Sequence, residues 1–323
     1  MNTMKWLLKR EYWEHKGGFF WAPAVVSGIL ALLSIGSMLI GVISSGNGKG
    51  VFHAGGSDFV SLKHALSSIS PAEKLEFAQG LASAYPAISM PIIFTLGFVV
   101  FFYCLSSLYD ERKDRSILFW KSLPVSDRDT VISKALTALI VGPLIAVAFA
   151  LALSLLVLLT LMVLAAFHGL NLFGPVLGNA NFYLVMAQIV SFIPIYVLWA
   201  LPTVGYLMFV SSWAKTKPFL WAVGVPVVGG VILTWVNALA GSPFVLESYW
   251  KVIVGRGLGS VFPGSWLGMI TETETNINPD NALSMLLANT YSLLGTANLW
   301  IGVVIGLVFL AGAVRMRRYR DEG

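Results

Sequence analysis

The residues able to carry covalent or metal chemistry are few and scattered in this chain. Four histidines, His15, His53, His64 and His168, fall in or beside loops, and none belongs to an H-E-x-x-H pair. The one cysteine, Cys104, lies inside an apolar run, which excludes an intrachain disulfide and a CxxC metal knuckle and reads as a buried packing residue. No G-x-x-x-x-G-K-[ST] phosphate loop occurs, and the nearest string, Gly46-Asn47-Gly48-Lys49-Gly50, has the wrong spacing. No serine in a G-x-S-x-G elbow faces an intramembrane histidine. Catalysis, a metal site or a nucleotide site within this chain is therefore not expected.

The chemistry that the sequence does concentrate is surface charge beside bulky apolar side chains. Residues 109–134 read YDERKDRSILFWKSLPVSDRDTVISK. An unbroken charged run, Asp110-Glu111-Arg112-Lys113-Asp114-Arg115, precedes the apolar cluster Ile117, Leu118, Phe119 and Trp120, and Lys121 follows it. Pro124 ends any helix there, and Ser126 with Asp129 forms a capping box that starts the next one. The expected shape is a helix, a short transverse helix, a proline turn and a returning helix. Two readings of Phe119 and Trp120 stay open: anchors presented to a partner's groove, or interfacial aromatics resting on lipid.

The elements that must position this segment are apolar. Of 323 residues 57% are hydrophobic and 11% charged, too little charge to cover a water-soluble fold. Charge-free runs at 19–43, 87–108, 135–166, 182–212, 219–240 and 297–314 are each long enough to cross about 30 Å of hydrocarbon. These runs predict an all-α integral membrane protein of six spans in one transmembrane domain over residues 1–323, with an interfacial helix before the first span. The third and fourth runs exceed one crossing and should tilt or project into water. The first is longer than a signal-peptide core and reads as a retained span. Sixteen of the 21 Lys and Arg fall on the side that holds both termini and 109–134, which places that side in the cytoplasm of an inner-membrane protein. The net charge of +5 flanks the spans instead of forming a basic stripe, so nucleic acid is not an expected partner.

On the opposite side, 44–83 is expected to form two short helices. Ser57 caps the first, and Ser70, Pro71 and Glu73 supply the N-cap, N1 proline and N3 acid of the second. Within the long 241–296 segment, the stretches 245–254 and 282–294 are apolar enough to return toward the membrane, as lids or as interfacial helices. None of the six runs contains Asp, Glu, Lys or Arg, which argues against an ion-coupled carrier built on an intramembrane charge. Uncharged polar residues, Gln188, Asn237, Thr203 and Thr95 foremost and Ser37, Tyr103, Ser191 and Thr234 beside them, are the candidates to line a pathway, although such side chains more often bond neighbouring helices. Pro91, Pro143, Pro194, Pro202 and Pro226 kink or break spans, and Gly302 with Gly306 forms a GxxxG suited to close helix packing.

At 109–134 the chain resembles the ABC-2 type permeases, the membrane subunits of one class of ATP-binding cassette exporters. Glu111, Arg112, Ser116, Ile117, Leu118 and Leu123-Pro124-Val125-Ser126 stand where that family has an E-R-x-x-G-T-like element, a short apolar helix and L-P-V-S. Arg115 stands where the family usually has glycine. The resemblance implies an exporter permease whose coupling helix, Ser116 to Lys121 with Phe119 and Trp120, docks with Glu111 and Arg112 into a cytosolic ABC ATPase subunit. It also implies ATP and Mg in that partner and none in this chain, and pairing with a second copy or a sister permease in the lipid bilayer. A secondary carrier and a non-transporting scaffold are the alternatives.

Overall fold

The computed structural model describes residues 3–46, 52–54, 57–59, 70–122, 124–240, 249–267 and 282–319. Six helices are long and apolar enough to cross a membrane: Gly17–Ile43, Ala72–Lys113, Asp127–Phe167, Ala180–Trp213, Leu220–Leu239 and Ala297–Tyr319. They coincide with the six apolar runs, an architecture compatible with a multi-pass membrane protein. Apart from one short hairpin, the regular structure of the described residues is helical.

Two of these helices are far longer than a crossing needs, for different local reasons. Helix α1 (Thr3–Glu14) leads into the first span, α2 (Ala22–Gly46). Helix α3 (Pro71–Ala84) starts on the expected capping box, with Ser70 N donating to Glu73 Oε2 at 2.6 Å and Glu73 N to Ser70 Oγ at 3.2 Å. It continues through a 3-10 turn at Tyr85–Ser89 into α4 (Met90–Ser106) and the short α5 (Tyr109–Lys113), so the second run grows to 42 residues. After α6 (Ser116–Ser122), α7 (Asp127–Leu136) joins α8 (Gly142–Phe167) in a stretch of 41 residues, about 60 Å at 1.5 Å per residue. Then come α9 (Phe173–Leu177), α10 (Ala180–Trp213), α11 (Val225–Ala240), α12 (Ala282–Ser292) and α13 (Ala297–Tyr319).

The prolines leave these helices unbroken. Pro23, Pro143 and Pro226 are each the second residue of an α-helix, and each follows a π-helical turn, at Gly17–Trp21, Thr137–Val141 and Leu220–Gly224. A proline ring crowds the carbonyl one turn back, and a wider π turn just before it relieves that crowding. Pro194 and Pro202 lie inside α10, which stays one helix.

One expectation fails in 44–83. Ser57 does not cap a helix; it opens β2 (Ser57–Phe59), which pairs antiparallel with β1 (Phe52–Ala54), Phe52 opposite Phe59. Gly55-Gly56 between the strands is a hairpin signal stronger than a lone serine cap. Of the apolar stretch 245–254, residues 245–248 lie outside the described residues, while Tyr249–Arg256 forms a π-helical segment.

Contacts divide the chain into two compact units, Met1–Ala22 with Phe94–Ile145 and Ser191–Gly323, and Pro23–Ile93 with Ala146–Val190. In the second, α3 packs on α9, and Tyr85 donates its hydroxyl hydrogen to Phe182 O at 3.3 Å. In the first, the GxxxG of α13 is spent within the chain: a Cβ on Gly306 would stand 2.7 Å from Leu201 O and 2.9 Å from Pro202 N. Backbone touches backbone there. We expect Gly306→Val to cost about 1–3 kcal/mol, read as a lower melting midpoint in detergent, while Gly28→Val, whose Cβ would meet nothing within 4 Å, leaves the midpoint in place.

Candidate functional site

The transverse helix α6 is held by what precedes it. Arg112 is buried, and its Nη2 donates to Ser211 O at 2.7 Å and Ala214 O at 2.9 Å, satisfying carbonyls at the end of α10 that have no helical partner. Ser211 Oγ in return accepts from Leu108 N at 3.1 Å and Tyr109 N at 2.9 Å. The junction of α4 and α5 is thereby clamped to the C-terminal end of α10.

Between α5 and α6 the chain turns through Arg115 at φ 57°, the left-handed region. Only glycine adopts that conformation without cost, and for an L residue the penalty is about 1–2 kcal/mol. The departure from the permease pattern at Arg115 therefore leaves the turn intact and strains it. Replacing Arg115 by Gly is expected to leave α6 in place and to raise stability by about 1 kcal/mol, checked by thermal melting of the purified chain.

The buried side of the turn carries an ion cluster. Glu11, fully buried on α1, receives Lys134 Nζ at 2.9 and 3.0 Å, Arg10 Nη2 at 2.6 Å and the Tyr103 hydroxyl at 2.9 Å. Glu111 meets the same Lys134 Nζ at 3.0 Å, Arg10 at 3.5 Å and Arg317 of α13. Arg317 Nε reaches Asp127 Oδ1 at 3.1 Å. Glu11, Glu111 and Asp127 thus face Arg10, Lys134 and Arg317, and Arg10 also reaches Glu14 at 3.5 Å. It ties α1, α5, α7 and α13 together at one place.

Burial alone would raise the Glu11 carboxyl, but the Lys134 ammonium and the Arg10 guanidinium hold it below its ordinary value of 4.5. A carboxyl depressed in the folded state stabilises above that ordinary value and loses the contribution as pH falls through the depressed one. Detergent-solubilised chain is accordingly expected to keep a constant melting midpoint from pH 8 to 6 and to lose stability below about pH 4.5, with Glu11→Gln flattening that acid limb.

The other side of α6 is open. Leu118 and Phe119 are 55% and 61% exposed, whereas Ile117 is fully buried and Ser116 bonds Glu111 O at 3.2 Å. Trp120 is half-buried, with the Arg10 guanidinium 3.9 Å from its ring centroid, so one side of it lies against the ion cluster. Lys121 lies at the rim. Of the residues singled out on the permease pattern, Leu118 and Phe119 present a surface, while Glu111, Arg112, Ile117 and Trp120 anchor it. Ser126 caps α7 by accepting from Asp129 N at 3.1 Å.

The uncharged polar residues are dispersed. Thr203 is fully buried and donates to Gly257 O at 2.8 Å, pinning the end of the Tyr249–Arg256 segment to α10. Thr234 donates to Gly230 O at 2.7 Å, and Ser37 to Ser34 O at 2.9 Å. Gln188 is buried, and Thr95 and Asn237 are half-buried. Glu11, Glu14 and His15 approach one another closely enough to hold a cation, but Glu11 is already occupied by Lys134 and Arg10.

No family model, curated protein or solved structure matches this chain. The reading of the site rests on its geometry and on the motif in 109–134.

Sequence reasoning missed Glu11, Lys134 and Arg317. The signal was present in placement, since all three stand within one or two turns of an apolar run. Residues at a span's edge read as headgroup-facing unless another charged edge folds against them.

Proposed function

We propose that this chain is the permease subunit of an ABC exporter, working with a separate cytosolic ATPase that binds and hydrolyses ATP. The observation that carries this reading is α6 itself: a short helix between the second and third spans, braced on one side by the arginine clamp and ion cluster, with Leu118 and Phe119 exposed on the other. Such a helix can act as a rigid lever, because a push on Leu118 and Phe119 is passed to α1, α5, α7 and α13 through Arg10, Lys134 and Arg317. The bias of Lys and Arg toward that side supports a cytoplasmic face in an inner-membrane protein, where a cassette ATPase would meet it. Export then requires a second copy or a sister permease, since six spans make half of a paired pathway.

Glu11 and Glu111 are the buried carboxylates that a gradient-driven carrier would use. Both are saturated by cations, however, and a proton-carrying site needs a carboxyl that is released at some point in the cycle. Affinity purification of the tagged chain from its native membrane in mild detergent tests the proposal. Recovery of a stoichiometric ATPase, lost in Leu118→Ala/Phe119→Ala, is the expected result. Recovery of the chain alone, with uptake that follows an ion gradient, would replace the permease reading by the carrier.

A further inference from the structure

A second site lies away from α6, around Arg256. The Tyr249–Arg256 segment packs on α11 where two glycines make room: a Cβ on Gly229 would meet the Tyr249 hydroxyl at 2.8 Å, and one on Gly230 the Trp250 ring at 2.8 Å. Tyr249 OH donates to Pro226 O at 2.8 Å, and Thr203 holds the segment's end. Arg256 is thus carried inward beside a 310 Å3 cavity walled by Pro202, Tyr206, Ile253, Ile301, Ile305 and Phe309. That volume is within the range of small-molecule sites, about 300–1,000 Å3.

The guanidinium is held by uncharged partners among the described residues. It lies 4.5 Å from the Trp199 ring centroid, and Nη2 donates to Asn298 O at 2.7 Å. Its Nε is buried with no hydrogen-bond partner, and Arg256 makes no ion pair among the described residues. Gly302 is what admits it, since a Cβ there would stand 2.5 Å from Nη2. Partial burial lowers the affinity of this guanidinium for its proton.

We propose that this cavity binds an anionic amphiphile, with a phosphate or carboxylate head on Arg256 and an alkyl chain along Ile301, Ile305 and Phe309. Arg256 is half-buried, its Nε is buried without a hydrogen-bond partner, and the planar guanidinium edge is matched to two oxygens of such a head. Both a membrane phospholipid and a soluble alkyl phosphate carry this chemistry. The site stands whether or not the chain is a permease.

Native mass spectrometry of the full chain, delipidated in dodecyl maltoside, tests it with phosphatidylglycerol, phosphatidylcholine and decyl phosphate as probes. One equivalent of phosphatidylglycerol or of decyl phosphate should bind saturably, and which of them binds identifies the source. Phosphatidylcholine should bind at least tenfold more weakly. Arg256→Gln should weaken binding at least tenfold, and so should Gly302→Ala, which swings the guanidinium aside without altering its charge. Arg256→Lys controls for folding, because it keeps the cation and should retain part of the affinity. Binding by Arg256→Gln within twofold of wild type, in protein that elutes as the folded species, would overturn the proposal, as would equal binding of phosphatidylcholine.

Discussion

If the chain is the permease proposed above, Leu118→Ala/Phe119→Ala on α6 should lower ATPase-coupled transport tenfold or more, while the protein inserts and melts as wild type. Both side chains are more than half exposed, so their truncation opens no cavity and the folded chain loses little. Against a partner the situation reverses, because an aromatic and an aliphatic anchor in a desolvated groove are the kind of residues whose loss costs about 2 kcal/mol or more each. The check is ATP-dependent transport in proteoliposomes beside the thermal midpoint of the same preparation. Wild-type coupling in the double variant would remove α6 as the contact. Trp120→Ala is expected to behave differently: it takes away the ring beneath Arg10, so stability falls with function.

Lys134→Ala should be the most destabilising single change in the described part of the chain. Lys134 is 1% exposed, and its ammonium is shared by Glu11 and Glu111. Deleting it leaves two carboxylates buried and under-compensated, and breaking a buried pair in this way costs about 3–5 kcal/mol. Loss of folded protein in fluorescence-detected size exclusion measures it. The physical cause is separable from simple loss of volume by pairing Lys134→Met with Glu11→Gln, which removes one charge of each sign. If uncompensated charge is the cause, the pair recovers much of what Lys134→Met alone loses; no recovery would assign the loss to packing.

How far the sequence reaches can be argued from particular residues. The spans were legible because twenty or so apolar residues in a row have one economical conformation in hydrocarbon, the helix that satisfies its own backbone. Likewise the Ser70-Pro71-Glu73 cap is visible, since its partners lie three residues apart. The hairpin at 52–59 was also written locally, in Gly55-Gly56, but was outweighed by a serine read as a cap.

Which residues share a site was not legible. Glu11 and Lys134 are 123 positions apart, and Glu111 and Arg317 are 206 apart. In the linear chain each reads as a solvated charge at the edge of a span, and only the fold brings those edges into one volume from which water is excluded. The same holds for Trp120, which has Arg10 over its ring, and for Arg256, whose Nε is buried without a hydrogen-bond partner among the described residues. The sequence by itself therefore determined six apolar helices and the short helix between the second and third, while the second and third run beyond their apolar stretches. The tertiary structure decided which charges are paired, which face of that helix is open and which guanidinium stands beside a cavity, because burial and pairing are sums over neighbours that adjacency in the chain does not encode.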